Sequence, residues 1–453
     1  MRIYLPTIEI KDNEGFSNEK DLFGRAELGA GMTNLVTTIS DPLVIAFDGE
    51  WGTGKTTFLK MWAGELRNQG FPVVYFDAFA NDYVDDAFAV LARELVALVE
   101  ATKPADRKAI ESFKEGSVKL GSQLVQVAAK VGTKAVIRVV TAGTLKDSDF
   151  REAIDETIKE TGDLTENYMR SFLSDPQKQK SVVEDFRQAL EKLPSLLAPP
   201  TEGEKQKPLV FIIDELDRCK PIFALQILER IKHFMSVPNV HFVLGVHLEQ
   251  LKRSVQFAYG SNIDATNYLQ KFINLTIVNN DIARPEHEHR LVKYIEHLKN
   301  NLNLPNTEDT YYILEFLQRV ALKKEFSLRT LERIFTNIVL ATVFAKEREF
   351  RSGPLIAGLC ILKVVEAALF EKAKAGQLEY EEIADFFGFE NSSSGEDDEK
   401  RDPGRNLWEF ALADKVPDRL RWLGPDASRY FSNRKDMVPF TANDIVDRFR
   451  PNR

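Results

Sequence analysis

The chain has 453 residues, 43% of them hydrophobic and 28% charged, with a formal net charge of −9. That composition supplies enough apolar material for a large core and, at this length, for two or three domains. The acidic balance argues against wrapping bulk nucleic acid, which takes a basic footprint. Two cysteines, Cys219 and Cys360, lie too far apart for a metal-binding spacing and suit a reducing cytoplasm.

The opening stretch, "MRIYLPTIEIKDNEGF", has no apolar signal core and meets Asp12 and Glu14 early. No uninterrupted apolar run is long enough to span a bilayer, so a cytoplasmic location is expected. Residues 43 to 47, "LVIAF", predict a short buried strand that runs into a glycine-rich turn. "TTFLKMWAGELRNQG" has helical spacing and stops near Gly70, and "PVVYFDAFAND" restarts as a strand. "DDAFAVLARELVALVE" predicts an amphipathic helix with acidic residues in its first turn, where they favour the helix dipole. This order implies an α/β fold, with a parallel sheet and crossover helices. Residues 101 to 207 predict a helical insertion that ends in the breaker-rich "LAPPTEGEKQKP". Within it, residues 116 to 145 carry Lys119, Lys130, Lys134 and Arg138 and no acid. They predict helices that pack on the same chain or a neighbouring subunit, or else contact an anionic membrane surface. The sheet resumes with "LVFIID" and "VHFVLGV", separated by the helix "PIFALQILERIKHFM" with proline near its start. From residue 286 the pattern is helical, with a disordered linker expected at 391 to 405 and a small final unit at 406 to 453.

The chemistry is concentrated in two places. Gly49, Gly54, Lys55 and Thr56 satisfy G-x-x-x-x-G-K-[ST], after a strand and before a helix. Glycines let successive amides curl around one anion, and the following helix adds its positive end. The phosphate-binding stretch is therefore Gly49, Glu50, Trp51, Gly52, Thr53, Gly54, Lys55, Thr56 and Thr57. Lys55 would supply charge to the β- and γ-phosphates, and Thr56 an oxygen to Mg²⁺. Val210 to Ile213 deliver Asp214 at the C-terminal end of a strand, where ligands of open α/β sheets sit. Asp214 would hold the magnesium, and Glu215 beside it could orient the attacking water. Asp217 and Arg218 are expected to pair with each other or with neighbours. No N-K-x-D guanine reader occurs, which favours ATP. The "HEH" of residues 287 to 289 is poor metal-ligand geometry and reads as surface.

"GEWGTGKTTFL", "VVYFDAFAND", "IIDELDRCKP", "FVLGVHLEQL", "NYLQKFINLTI" and "SLRTLERIFTN" together resemble the KAP P-loop NTPases over roughly residues 20 to 340. The resemblance implies a soluble or membrane-associated ATPase, with some bacterial relatives linked to plasmid functions or phage exclusion. It makes residues 286 to 390 a helical lid and Arg329 the candidate arginine that touches the γ-phosphate, with Lys271 a weaker one. His247 stands where the family usually carries aspartate. Residues 101 to 200 lack the membrane spans that relatives often insert there. Trp51 is expected to turn away from phosphate and wedge the loop against the strand end near Phe76 and Phe79, or to face a partner subunit. The expected divisions are residues 1–100 and 208–285 for the NTPase core, 101–207 for the insertion, then lid, linker and final unit. The expected function is Mg²⁺-dependent ATP hydrolysis that drives a conformational or assembly switch, in a homo-oligomer or a hetero-complex. An assembly scaffold with little turnover and a small-molecule kinase are the alternatives.

Overall fold

A computed structural model describes residues 9–17, 19–84, 87–102, 111, 113–114, 176–232, 236–279, 287–344, 350–389 and 402–448. The basic segment 116–145, most of the expected insertion and residues 391–401 of the expected linker lie outside the described residues.

The described residues of 9–50 and 54–279 form one compact unit around a five-stranded parallel sheet. The strands are β1 (Leu43–Asp48), β2 (Val73–Asp77), β3 (Leu209–Asp214), β4 (Val240–Val246) and β5 (Leu275–Val278), in the spatial order β2-β3-β4-β1-β5. Parallel neighbours require crossovers. Helix α1 (Ala26–Thr38) precedes the first strand, and the crossovers include α2 (Lys55–Asn68), α3 (Ala87–Thr102), α4 (Pro176–Leu197), α5 (Pro221–Arg230) and α6 (Leu248–Tyr259). The central strands β3 and β4 are buried along their whole length. That explains their continuous Val, Ile, Leu and Phe runs in place of alternation.

Successive side chains go to opposite faces of the sheet. Ile45, Phe47, Val73, Val210, Ile212 and Val243 meet Phe58, Leu59 and Trp62 of α2 and Met32 and Val36 of α1. The aromatic rings of Phe47 and Phe58 stack with centroids 4.7 Å apart. The alternate set, which includes Val44, Phe76, Phe211, Ile213 and Phe242, meets α3, α4, α5 and α6. Phe113 and, from α4, Phe186, Leu190 and Leu193 belong to this second cluster. The described parts of the expected insertion therefore bury their apolar faces in the NTPase core. Strand β5 escaped the sequence reading. It is four residues long, three of them exposed, so it shows neither a buried run nor an alternation.

The described residues of 280–453 cluster as a second unit, together with 51–53. It is helical: α7 (His287–Asn301), α8 (Glu308–Lys324), α9 (Leu328–Phe344), α10 (Gly353–Val365) and α11 (Pro403–Leu412) lead its succession of helices. Helix α10 is buried from Gly353 to Leu362 and packs against α8, α9 and α11. Trp408 of α11 is fully buried, and its indole N–H donates to the Pro354 carbonyl at 3.3 Å. A Cβ on Gly358 would lie 2.5 Å from that indole ring, so glycine is what lets α11 approach. Two expectations are corrected here. The stretch 406–453 is not a separate unit, because Trp408 and its neighbours complete the core around α10. Nor does a linker extend to 405: Pro403 begins α11, and the side chain of Asp402 accepts the Arg405 N–H at 2.8 Å. The stretch read as disordered from its polar composition, but aspartate at the cap and proline in the first turn also start helices. Among the described residues, no helix is long and apolar enough to cross a membrane.

Candidate functional site

Strand β1 ends at Asp48, whose Oδ1 accepts the Leu248 N–H at 2.8 Å, and Gly49 N donates to the Val246 carbonyl at 3.1 Å. These bonds tie the root of the phosphate loop to the end of β4. Gly52 and Gly54 have φ of +85° and +80°, a region that costs other residues strain. Gly54 is the N-cap of α2, so the unpaired amides of the first helical turn follow it directly. Sequence reasoning missed Arg25, which is buried, with its guanidinium 5.1 Å from the Phe23 ring centroid and Nη1 donating to the Gly54 carbonyl at 3.3 Å. A lone arginine before a helix gave no signal of that reach.

Lys55 is buried, and its ammonium donates to the loop's own carbonyls at Gly49 and, at 3.0 Å, Glu50. Burial pushes its pKa down, opposed by the charges of Asp217, Asp214 and Asp48. A cation held by backbone carbonyls beside three carboxylates is poised to exchange those carbonyls for phosphate oxygens.

Asp214 stands at the end of β3, opposite Gly245 of β4, and Gly245 in turn stands opposite Phe47 of β1. The carboxylate and the phosphate loop are thus separated by a whole strand. Gly245 is what lets the carboxylate lie there: a Cβ on it would fall 2.4 Å from Asp214 Oδ1 and 2.6 Å from Leu59 Cδ1. Asp214 Oδ1 accepts the Glu215 N–H at 2.9 Å and Oδ2 accepts the Tyr75 hydroxyl at 2.7 Å. Burial pushes the Asp214 pKa up, and Tyr75, Thr56 and the Glu215 N–H act against it. The Tyr75 hydroxyl is pushed far up, first by burial and then by Asp214, and so stays a donor. Gly245→Ala is expected to cost about 1–3 kcal/mol of stability through overpacking, read as a shift of the urea midpoint. An unchanged midpoint would mean the carboxylate has room to move.

Glu215 has φ 58° and ψ 27°, a left-handed conformation uncommon for a non-glycine residue. Its carboxylate pairs with Arg218 at 2.6 Å, so Arg218 takes a neighbour. Burial raises the Glu215 pKa against the lowering pull of Arg218. Thr53 and Thr57 are half-buried, while Glu50 and Trp51 are exposed. Trp51 keeps 44% of its surface exposed, more than a wedged side chain would, and Phe79 keeps 49%. Phe76 already lies inside the core beside α3 residues.

The sequence-predicted residues Lys55, Thr56, Asp214 and Glu215 therefore share one neighbourhood. Lys271 lies over the Tyr268 ring at 5.3 Å, and His247 occupies the N-cap position of α6. Arg329, in the first turn of α9, lies against the phosphate loop within the second unit, where a Cβ on Gly52 would fall 2.6 Å from the Arg329 Cβ. Glu288 and His289 are exposed, and the His287 side chain lies outside the described residues. Among the described residues, no group of three or more His, Cys, Asp or Glu side chains has metal-binding geometry.

No curated protein is matched by the chain. Among solved structures, a DNA replication initiation factor is similar at 11% identity, over 87% of this chain and 96% of that one, with a TM-score of 0.27. A likeness at that score carries no argument. The KAP family P-loop domain matches residues 31–343, a range that contains the phosphate loop, Asp214 and Glu215. The chain belongs to the KAP family of P-loop NTPases.

Proposed function

We propose that the protein is a Mg²⁺-dependent ATPase whose hydrolysis cycle drives a conformational or assembly switch. The observation that carries this reading is the buried Lys55 ammonium behind the curled phosphate loop, with the buried Asp214 carboxylate at the end of β3, one strand away. The Asp214 carboxylate and the Thr56 hydroxyl would be the hard oxygen donors that magnesium prefers, and one carboxylate with phosphate oxygens and waters is its usual protein complement. The ion, once bound, would neutralise charge that develops on the β- and γ-phosphates. Lys55 would bind those phosphates, the loop amides would orient them, and Glu215 would position the water. Adenine is favoured because the guanine-reading motif is missing from the sequence. Phosphate release by purified protein tests the proposal, with Mg²⁺-ATP set against ATP in a chelator. Release that does not depend on the metal would overturn it.

The pairing of Glu215 with Arg218 supports a second reading, an assembly scaffold that binds ATP and turns it over slowly. A carboxylate engaged by a guanidinium is a poorer acceptor for a proton from water. Tight Mg²⁺-ATP binding without phosphate release would select this reading. The part played by Arg329 is proposed on family resemblance. Arg329→Ala is expected to leave ADP affinity intact and to weaken ATP affinity or turnover about tenfold, the size of a charge-assisted hydrogen bond. Equal changes for ADP and ATP would make α9 structural only. Oligomer formation and a setting in phage exclusion or plasmid maintenance are proposed on the resemblance alone. Mass measurement with and without ATP tests the first.

A further inference from the structure

Tyr75 lies within the stretch "VVYFDAFAND" but has been given no role so far, yet it makes a specific contact with the Asp214 carboxylate. It sits on β2 opposite Ile212 of β3, two residues before the register pair Asp77 and Asp214. Residues two apart on a strand share a face, so Tyr75 and Asp214 are diagonal neighbours on the face covered by α2. A diagonal of that size is within reach of a tyrosine. Its hydroxyl donates to Asp214 Oδ2 at 2.7 Å. On the α2 side, the Lys60 ammonium is 5.7 Å from the ring centroid, so the ring is held between the strand and that helix.

Asp214 is 2% exposed, and such a carboxylate cannot rely on bulk water to orient it. Its Oδ1 is addressed by the backbone N–H of Glu215 and its Oδ2 by Tyr75. Gly245 leaves the space, and the two donors set the plane of the carboxylate within it. The lone pairs that remain then face a fixed direction. Partners of this kind, one bond removed from a metal, typically change metal affinity or activity by 10–100-fold when removed.

We infer that Tyr75 is a positioning residue, which orients Asp214 for the cation that accompanies the nucleotide. This inference rests on the reading of Asp214 and Thr56 as the magnesium side of the site. It makes no claim on the phosphate loop, whose anion-binding amides are provided by a different segment. Tyr75→Phe keeps the ring, its place between β2 and α2 and the apolar packing, and removes only the donor.

The test measures ATP affinity by calorimetry in excess Mg²⁺ and again in excess EDTA, for the wild-type chain and for Tyr75→Phe. The gain in affinity that Mg²⁺ confers is expected to fall about 10–100-fold in the variant, while the affinity in EDTA stays at the wild-type value. A titration of Mg²⁺ into the ATP-bound variant should show its midpoint moved to higher Mg²⁺ by the same factor. If Mg²⁺ confers the same gain on both proteins, the inference is wrong. If the affinities in Mg²⁺ and in EDTA fall together, Tyr75 is a packing residue and the inference is equally wrong. A wild-type chain that binds ATP no better in Mg²⁺ than in EDTA would overturn the metal reading itself, and the role of Tyr75 with it. That result differs from an unchanged variant measured against a Mg²⁺-dependent wild type.

Discussion

Lys55→Ala is expected to lower nucleotide affinity by at least ~100-fold. The ammonium is buried, and it faces the Gly49 and Glu50 carbonyls in the absence of ligand. Alanine removes the positive charge that phosphate would meet. It also leaves those two carbonyls without this donor in a loop that must stay curled. Truncating one partner of a desolvated charge pair costs about 3–5 kcal/mol, and about 1.4 kcal/mol is a factor of ten. The fold should survive, because the packing under the loop comes from the stacked Phe47 and Phe58 rings and from Leu59 and Trp62. Calorimetry with ATP reads the loss, and the thermal midpoint without ligand checks the fold. Wild-type affinity in the variant would remove residues 49–57 as the phosphate site.

Glu215→Gln separates binding from turnover. Glutamine keeps the shape of the side chain but cannot accept a proton, and the left-handed backbone at this position does not depend on the charge. Binding should therefore stay within a few-fold of wild type, while the rate of phosphate release under single turnover falls at least ~100-fold. The substitution also breaks the ion pair with Arg218, which leaves that guanidinium to find another acceptor. If it turns instead to the nucleotide, ATP affinity will rise, and the calorimetry will show it. A variant that hydrolyses at the wild-type rate would move the water-positioning role elsewhere, with Glu50 next in line.

The elements that sequence revealed are those whose signal is local. A buried parallel strand shows as an apolar run; β1 and β3 have an unbroken one up to their last residue, and in β4 it is interrupted by His241. The phosphate loop is local for a chemical reason: its donors are consecutive amides, so its residues are consecutive too. Asp214 was legible because a carboxylate at the end of such a run has few structural uses. What stayed hidden is what acts across strands. Gly245 matters only because β4 lies between β3 and β1, and Tyr75 only because β2 is in register with β3 two residues below Asp214. Neither relation has a counterpart in spacing along the chain. Arg25 reaches Gly54 across 29 positions and is hidden for the same reason. At residues 402–405 the difficulty was different, since the same Asp-Pro-Gly letters end one helix or begin another, and only the buried position of Trp408 decides.

The strand order also sets a timetable for the ribosome. Strand β1 is complete at residue 48, yet its partners are β4, which begins at residue 240, and β5, which begins at residue 275. Strand β2 is complete at residue 77 and pairs only with β3, which begins at residue 209. At synthesis rates of ~5–20 residues per second, β1 waits roughly 10–40 s before it has any strand to join. Through that interval the phosphate loop has no β4 end to fasten it, and the apolar faces of β1 and β2 lack the sheet that will bury them. The nascent chain is therefore most exposed to aggregation just when its nucleotide-binding sequence has already emerged. A nucleotide cannot rescue it by binding early, because β3 and Asp214 are still to be translated.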